Sequence, residues 1–262
     1  MRFRSVGSGS AGNATVVEAA SGTTTSRVLI DCGFSMRELE TRLGGAGLAP
    51  ADLDAVFITH EHGDHIGCAL TLARKHRVPV YMSRGTWYAI GSPEVADLHG
   101  ELIRFARDGM SIEVGDLQLN PYTVPHDAHE PLQLTLTDGV STLGVLTDAG
   151  SSTPYLVQRL QGCAALLLET NHDTQLLANS SYPYSLKARV GGRWGHLSND
   201  TSAEILALCV HAGLRHLVAA HLSEQNNRPE LAAEALGKAS GGSAEDIVVA
   251  TAANGCAWLD LR

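Results

Sequence analysis

The 262-residue sequence has no apolar run that approaches the roughly 18–20 residues needed to cross a membrane. Its first residues, Met1-Arg2-Phe3-Arg4, lead directly into a strand-like segment, without the apolar core of a signal peptide. Repeats, low-complexity tracts and runs of like charge are absent as well. We therefore expect a cytoplasmic protein with no membrane partner and a single domain over residues 1–262.

Cysteine is scarce, and its count of five is odd. Cys32, Cys68, Cys163, Cys209 and Cys256 are widely spaced, lie mostly in apolar segments and form no CxxC pair. A disulfide framework or a zinc clip built from paired cysteines would require a different pattern. We therefore expect reduced cysteines in the core.

Basic residues are outnumbered, since 19 Lys and Arg stand against 28 Asp and Glu, for a formal net charge of -9. This balance argues against broad electrostatic binding of nucleic acid. It does not exclude a phosphate-containing substrate, because bound dications would concentrate positive charge at one place.

The segment at residues 58–67, ITHEHGDHIG, packs three histidines and two acidic residues together. It follows the apolar residues 55–58, which predict a buried strand. Alternation along the strand end places His60 and His62 on the same side. A lone histidine there would usually be a solvated polar residue, but three at one junction favour a metal site.

The same segment also predicts a turn from strand to helix. Gly63 permits the turn, and Asp64 and His65 fall where a helix over residues 65–75 would begin. Imidazoles and carboxylates that converge at such a junction are the donors that a divalent metal requires.

Other predicted strands end in residues that can bind a metal. These are Asp31, His126, Asp148 and His221, which directly follow residues 28–30, 122–125, 144–147 and 217–220. Any one of them has an ordinary explanation, since Asp before Gly is common in turns. Together with the histidine cluster they predict one centre assembled from strand ends.

Strands and helices alternate in each half after an initial run of strands, which predicts two packed sheets with helices outside. Ser35 and Glu38 have the spacing of a capping box. Residues 179–195 are polar and contain Gly and Tyr, so we expect a loop there. The predicted strands cover residues 2–6, 14–18, 27–31, 56–59, 78–82, 111–124 (two, turning at Gly115-Asp116), 132–137, 141–147, 164–169, 217–220, 247–251 and 256–261, and the helices 35–43, 65–75, 154–160, 201–211 and 229–241.

This set of motifs resembles the metallo-β-lactamase fold superfamily of metallohydrolases over nearly the whole chain. The resemblance implies an α/β (α+β) fold, an αββα sandwich of two mixed sheets with helices on the outer faces. It also implies two divalent metal ions, Zn or Mn, with Fe also accepted by such donors. The implied ligands are His60, His62 and His126 for one ion, Asp64, His65 and His221 for the other, and Asp148 for both. The resemblance also implies that Asp31 orients the ligands without binding a metal itself.

Such a centre would catalyse hydrolysis. Two dications roughly 3.5–4 Å apart bridge a water, lower its pKa and hold it as the attacking hydroxide. We expect Asp64 to take part in catalysis as well as in metal binding. The sequence contains no convincing Ser-His-Asp or Cys-His arrangement that would compete.

Shorter motifs resemble the YycJ/WalJ-like branch of the superfamily, which is related to PhnP-type phosphodiesterases and to RNase Z. That branch is associated with phosphodiester cleavage, and its bacterial members are regarded as DNA exonucleases. It implies His196 as a catalytic residue that protonates the leaving alkoxide or binds the phosphate. The motifs are SGSAGN at residues 8–13, HDA at 126–128, TDAG at 147–150, ETNHD at 169–173, GHLSN at 195–199 and AHLSEQNN at 220–227.

Substrate contacts are predicted at Asn13, His172, Lys187 and Arg189. Lys187 and Arg189, near Tyr182 and Tyr184, could receive a nucleic-acid backbone while bases stack on the rings. A solvated loop is the alternative, and His172 could instead only brace that loop.

DNA is the favoured substrate over RNA, and the oligomeric state stays open. Alternatives are a cyclic-nucleotide-type or small-molecule phosphodiesterase, or a thioester or lactone hydrolase on the same scaffold. A metal-binding regulatory protein with a vestigial site is a further class, and the complete ligand set argues against it.

Overall fold

Two seven-stranded sheets pack face to face in the computed structural model, which describes residues 1–91, 98 and 100–262. Helices cover the outer faces of both sheets. The predicted αββα sandwich with two mixed sheets is thereby confirmed. Among the described residues, no helix combines the length and apolar character that a membrane span requires.

The first sheet comes from the N-terminal half of the chain and one C-terminal strand. Its first three sequential strands are antiparallel, and the next three continue in parallel. In spatial order the strands are β14 (Leu259–Asp260), β1 (Arg2–Gly7), β2 (Ala14–Ser21), β3 (Thr24–Ile30), β4 (Ala55–Phe57), β5 (Val80–Met82) and β6 (Ile103–Phe105).

The second sheet repeats this plan with the rest of the chain. An antiparallel meander leads into parallel strands. Its strands in spatial order are β13 (Ile247–Val249), β12 (His216–Ala220), β11 (Ala165–Glu169), β10 (Thr142–Leu146), β9 (Leu132–Thr137), β8 (Leu117–Thr123) and β7 (Ile112–Val114).

The helices connect the parallel strands. The predicted cap of the first helix is present, because Ser35 Oγ accepts the backbone N–H of Glu38. The helices are α1 (Met36–Gly45), α2 (Gly63–Ile66), α3 (Ala69–His76), α4 (Arg84–Ile90), α5 (Pro154–Leu160), α6 (Thr174–Asn179), α7 (Tyr184–Val190), α8 (Asn199–Ala207) and α9 (Pro229–Ser240), with 3₁₀ turns at Pro50–Asp52 and Ala244–Asp246.

The core follows from alternation along the strands. On β11, Ala165 and Leu167 point into the apolar layer between the sheets, whereas Leu166 and Leu168 pack under the helices of the second sheet. A strand that is buried on both faces reads as a continuous apolar run, and β11 does so. All five cysteines are free and buried, as predicted.

Two predicted elements are wrong in detail. The helix predicted for residues 65–75 is broken into α2 and α3 at Gly67, whose φ of 34° no regular helix permits. The segment 179–195 is not a loop throughout, because α7 lies within it. That helix buries none of its residues, so no apolar periodicity announces it.

Element ends differ as well. The helix predicted over residues 201–211 runs over Asn199–Ala207, because Ser198 caps it by accepting the N–H of Thr201. The last predicted strand shrinks to Leu259–Asp260. The elements α4, β6 and α6 were not predicted, since each is short and lacks a strong pattern.

Gly33 lies at a close crossing of two backbone segments, and a Cβ there would be 1.7 Å from the carbonyl oxygen of Asp64. Gly33→Ala should therefore displace the Asp64 backbone and lower the free energy of unfolding by about 1–3 kcal/mol or more, as overpacking does. Urea unfolding measures this. In the control Gly44→Ala in α1, the new Cβ meets nothing within 4 Å. Equal stability of the two variants would contradict the crossing.

Candidate metal centre

One edge of the sandwich gathers the carboxyl ends of several strands. Strands β3 and β4 are parallel in the first sheet, and β10, β11 and β12 are parallel in the second. Parallel strands deliver their end residues to the same edge, which is where α/β sheets bind ligands. The residues delivered there by these strands and by β8 are Asp31, His60, His126, Asp148, Glu169 and His221.

The first donor set consists of His60, His62 and His126, whose donor atoms lie within 4.8 Å of one another. The ring centroids are separated by 4.5 Å for His60 and His62 and by 4.9 Å for His60 and His126. His126 Nδ1 lies 2.9 Å from the carbonyl oxygen of Gly195. A carbonyl only accepts, so Nδ1 carries the proton and Nε2 is free to bind a metal.

The second donor set consists of Asp64, His65 and His221. Asp64 Oδ2 lies 3.5 Å from Nε2 of each histidine. His65 Nδ1 is 2.7 Å from Asp31 Oδ2, and His221 Nδ1 is 3.1 Å from Glu169 Oε1. Each carboxylate accepts the Nδ1 proton, so in the neutral imidazoles both Nε2 atoms face the set with the lone pair that a metal binds.

Asp148 lies between the two sets. Its Oδ2 is 2.9 Å from His65 Nε2, and its Oδ1 is 3.9 Å from His126 Nε2. The carboxyl is buried, and that burial raises its pKa, but the charges of His221 and His65 hold the pKa well below the usual range. The group is therefore an anion placed where it can contact cations in both sets.

The donors fit a pair of divalent ions. His60 Nε2 and His221 Nε2 are buried, and neither has a hydrogen-bond partner among the described residues. Buried polar atoms are normally paired, so two unpaired ring nitrogens in one cluster indicate a missing partner. The set contains only nitrogen and oxygen, which suits Zn, Mn or Fe.

The charge state of His65 supports the same conclusion. Burial alone lowers the pKa of His65, but the charges of Asp148 and Asp31 raise it well above the usual value. In the metal-free chain, a proton on His65 Nε2 would therefore lie between this imidazole and the Asp148 carboxylate. A bound metal ion would take the place of that proton, because metal binding and protonation compete for the same lone pair.

Glu169 is the site residue that the sequence reasoning missed. It is fully buried at the end of β11, and its Oε1 accepts from Nδ1 of His196 at 2.8 Å and of His221 at 3.1 Å. Its Oε2 accepts the backbone N–H of Ala149 at 2.8 Å. Burial raises the pKa of Glu169, but the charge and hydrogen bond of His196 lower it to about 2. The signal was available, since Glu169 ends an apolar strand as Asp31 does.

Comparison with known proteins identifies the family of the chain. Residues 26–222 match the family model of the beta-lactamase superfamily domain. The chain belongs to the metallo-β-lactamase superfamily. Exodeoxyribonuclease YycJ of Bacillus anthracis is 32% identical over 88% of this chain and 86% of its own length. Exodeoxyribonuclease WalJ of Streptococcus pneumoniae is 31% identical over 88% of this chain and 85% of its own.

The solved metallo-β-lactamase fold protein YhfI of Bacillus subtilis shares the architecture. It superposes with a TM-score of 0.73 over 98% of both chains, at 16% identity. At this identity the likeness shows the fold alone. Together with the sequence relatives, it confirms the predicted metallo-β-lactamase fold and the resemblance to the YycJ/WalJ branch, and the chain is a hydrolase of that superfamily.

Three site residues of this metallo-β-lactamase domain adopt left-handed backbone conformations, with φ of 60° at Asp31, 53° at Asp148 and 55° at His221. Non-glycine residues rarely adopt such angles, and each costs on the order of 1–3 kcal/mol. Asp31 and His221 stand directly after a strand, and Asp148 is the second residue after β10. The left-handed backbone conformation directs their side chains into the site. No sequence pattern reveals this conformation.

A cavity of about 410 Å³ opens onto the metallo-β-lactamase centre. Its floor includes Asp64, Asp148 and His221, and its walls include His196 and Arg189. His196 is about a quarter exposed. Burial alone lowers the pKa of His196, but the charge of Glu169 and hydrogen bonds to Asp148 and Glu169 raise it well above the usual value. The two carboxylates therefore favour the protonated form of this imidazole, which a substrate can reach.

The residues predicted to contact substrate fall in different places. Arg189 lines the cavity, where its Nε donates to Asp127 at 2.6 Å. Asn13 is buried, and its amide nitrogen lies 3.3 Å from the backbone oxygen of Asp64. His172 and Lys187 line a separate groove on the other side of α7.

Asp31→Asn should reduce metal affinity or hydrolysis by roughly 10–100-fold, as changes behind a metal ligand do. Asn tolerates a positive φ, so the variant removes the charge that holds His65 without straining the backbone. Metal titration and steady-state kinetics measure the effect. Asp31→Gly should show at least the same loss. If both variants matched the wild type, Asp31 would be a turn residue only.

Proposed function

We propose that the chain is a DNA exonuclease that hydrolyses phosphodiester bonds with two divalent ions. The observation that carries the proposal is the convergence of two imidazole and carboxylate sets on Asp148 at the floor of an open cavity. Hydrolytic centres with paired ions are built in this way. The choice of DNA is supported by two relatives that are named exodeoxyribonucleases and cover 88% of the chain.

The proposed ligands follow the two donor sets. One ion would be held by His60, His62 and His126, the other by Asp64, His65 and His221, with Asp148 shared. A pair of dications held here would lower the pKa of a water towards neutrality and would offset negative charge in the transition state. Zn and Mn are the proposed metals, with Fe as a third option.

Other residues of the chain orient the histidine ligands and the attacking water. Asp31 and Glu169 hold the Nδ1 atoms of His65 and His221, so that each Nε2 keeps its direction. The partly exposed carboxylate of Asp64 lines the cavity and can orient the attacking water by accepting a hydrogen bond. Asn13 contributes by holding the Asp64 backbone.

His196 is the proposed general acid. Its Nδ1 is occupied by Glu169, and the side chain lines the cavity without belonging to either ligand set. A protonated imidazole in this place can give its Nε2 proton to the leaving alkoxide or bind a phosphate oxygen. Glu169 stabilises the protonated state, which fits the donor role.

A substrate screen tests the proposal. Bis-p-nitrophenyl phosphate, end-labelled DNA, end-labelled RNA and a thioester should each be offered with added Mn or Zn. We expect cleavage of the phosphodiesters, with DNA preferred and mononucleotides released from a strand end. Exclusive thioester hydrolysis would contradict the proposal.

A small phosphodiester is the second candidate substrate. The cavity volume of about 410 Å³ lies within the range of small-molecule sites. Efficient cleavage of bis-p-nitrophenyl phosphate without any cleavage of DNA or RNA would favour it. In either case we place the protein in the cytoplasm as a single domain over residues 1–262, and its five free cysteines suit a reducing compartment.

A further inference from the structure

Helix α7 separates the metal-centre cavity from a second groove. One side of the helix, with Leu186, Arg189 and Val190, faces the cavity. The other side, with Lys187 and Ala188, lines a groove of about 560 Å³. The helix buries none of its residues, so packing in the core does not explain its sequence.

The groove has an aromatic rim and a largely apolar floor. Tyr182 and Tyr184 line it, and Tyr184 is 86% exposed. Leu177 contributes to the floor. The wall includes the buried ring of His172, whose Nδ1 has no hydrogen-bond partner among the described residues. A flat apolar slot with exposed tyrosines suits a planar ring with polar edges.

Lys187 is the only Lys, Arg, Asp or Glu among the described residues that line the groove. Residues 174–199 contain no Asp or Glu, and Arg189 lies on the cavity side of α7, where it pairs with Asp127. The whole chain has a net charge of -9. Lys187 Nζ donates to the backbone oxygen of Ala178 at 2.7 Å, which holds the ammonium beside the groove. This ammonium, with no carboxylate lining the groove among the described residues, complements a phosphate of a nucleic-acid backbone.

We propose that this groove binds the bases of single-stranded DNA next to the strand end that is cleaved. The inference rests on the proposed nuclease function and adds a site for substrate that lies outside the metal-centre cavity. A helix is about 10 Å across, so the occupied position lies within a few nucleotides of the scissile phosphate. Tyr184 stacks on the base, and Lys187 contacts the backbone.

Single abasic sites, moved one position at a time along a labelled oligothymidine, test this inference. The wild-type enzyme should show a raised KM when the abasic site lies at one particular position within a few nucleotides of the scissile bond. Tyr184→Ala should raise the KM for the intact strand by about 5- to 100-fold, as loss of base stacking does. It should also lose the dependence on abasic position, because ring and base report one contact.

Tyr88→Ala is the matched control, since Tyr88 is 70% exposed on α4 and does not line this groove. It should keep the wild-type profile, and an equal change in it would overturn the inference. A wild-type profile in Tyr184→Ala would overturn the groove alone and leave the nuclease intact. A wild-type enzyme that cleaves bis-p-nitrophenyl phosphate but no oligonucleotide would overturn both the DNA assignment and the groove.

Discussion

Asp148→Asn should cost the protein metal and activity together. The carboxylate lies between the two donor sets, 2.9 Å from His65 Nε2, and a neutral amide cannot replace its charge. We expect fewer than two ions per chain. Hydrolysis of bis-p-nitrophenyl phosphate should fall by about 10³-fold or more, because the ions supply several kcal/mol of transition-state stabilisation.

Asn is chosen because it removes the charge of Asp148 and keeps the backbone conformation. Asp148 has a φ of 53°, which Asn tolerates and Ala does not, so the variant should fold. Asp260→Asn is the control, since Asp260 is an exposed carboxylate at the end of the edge strand β14. It should keep metal and rate. An Asp148→Asn protein with two ions and the wild-type rate would remove Asp148 from the centre.

His196→Ala should keep both ions but lose hydrolysis of DNA by about 10²–10⁴-fold, as the removal of a general acid does. The imidazole belongs to neither ligand set and faces the cavity, where the Glu169 carboxylate raises its pKa. The loss should shrink for bis-p-nitrophenyl phosphate, because nitrophenolate leaves without a proton. Elemental analysis and kinetics on both substrates measure these effects.

His216→Ala is the control for this variant. His216 begins β12, whereas His221 follows the other end of that strand, so His216 lies away from the centre. It should behave as the wild type on both substrates. An equal loss on both substrates in His196→Ala would assign His196 to phosphate binding. If hydrolysis of neither substrate fell, His196 would have only a structural role in the segment before α8.

The strand-end residues of the site could be predicted from the sequence. Asp31, Asp148 and His221 each follow a short apolar run, and the carboxyl ends of parallel strands meet at one edge. The pattern that buries a strand therefore also marks where its last residue emerges. The same logic applies to Glu169, which was overlooked because it was read only as part of a motif.

Other features depend on contacts that are distant in the chain. The position of Asn13 beside the Asp64 backbone requires the loop before β2 to meet helix α2, 51 residues further along the chain. The break between α2 and α3 occurs because Gly67 approaches the backbone of Cys32, where a Cβ would lie 2.4 Å from the carbonyl oxygen. Helix α7 has no buried face, so hydrophobic periodicity could not reveal it.

The metal content of the purified wild-type protein tests the central claim most directly. Elemental analysis by mass spectrometry should find close to two divalent ions per chain. Chelation should abolish hydrolysis of bis-p-nitrophenyl phosphate, and added Zn or Mn should restore it. A protein that contains no metal and keeps its full rate after chelation would contradict the account.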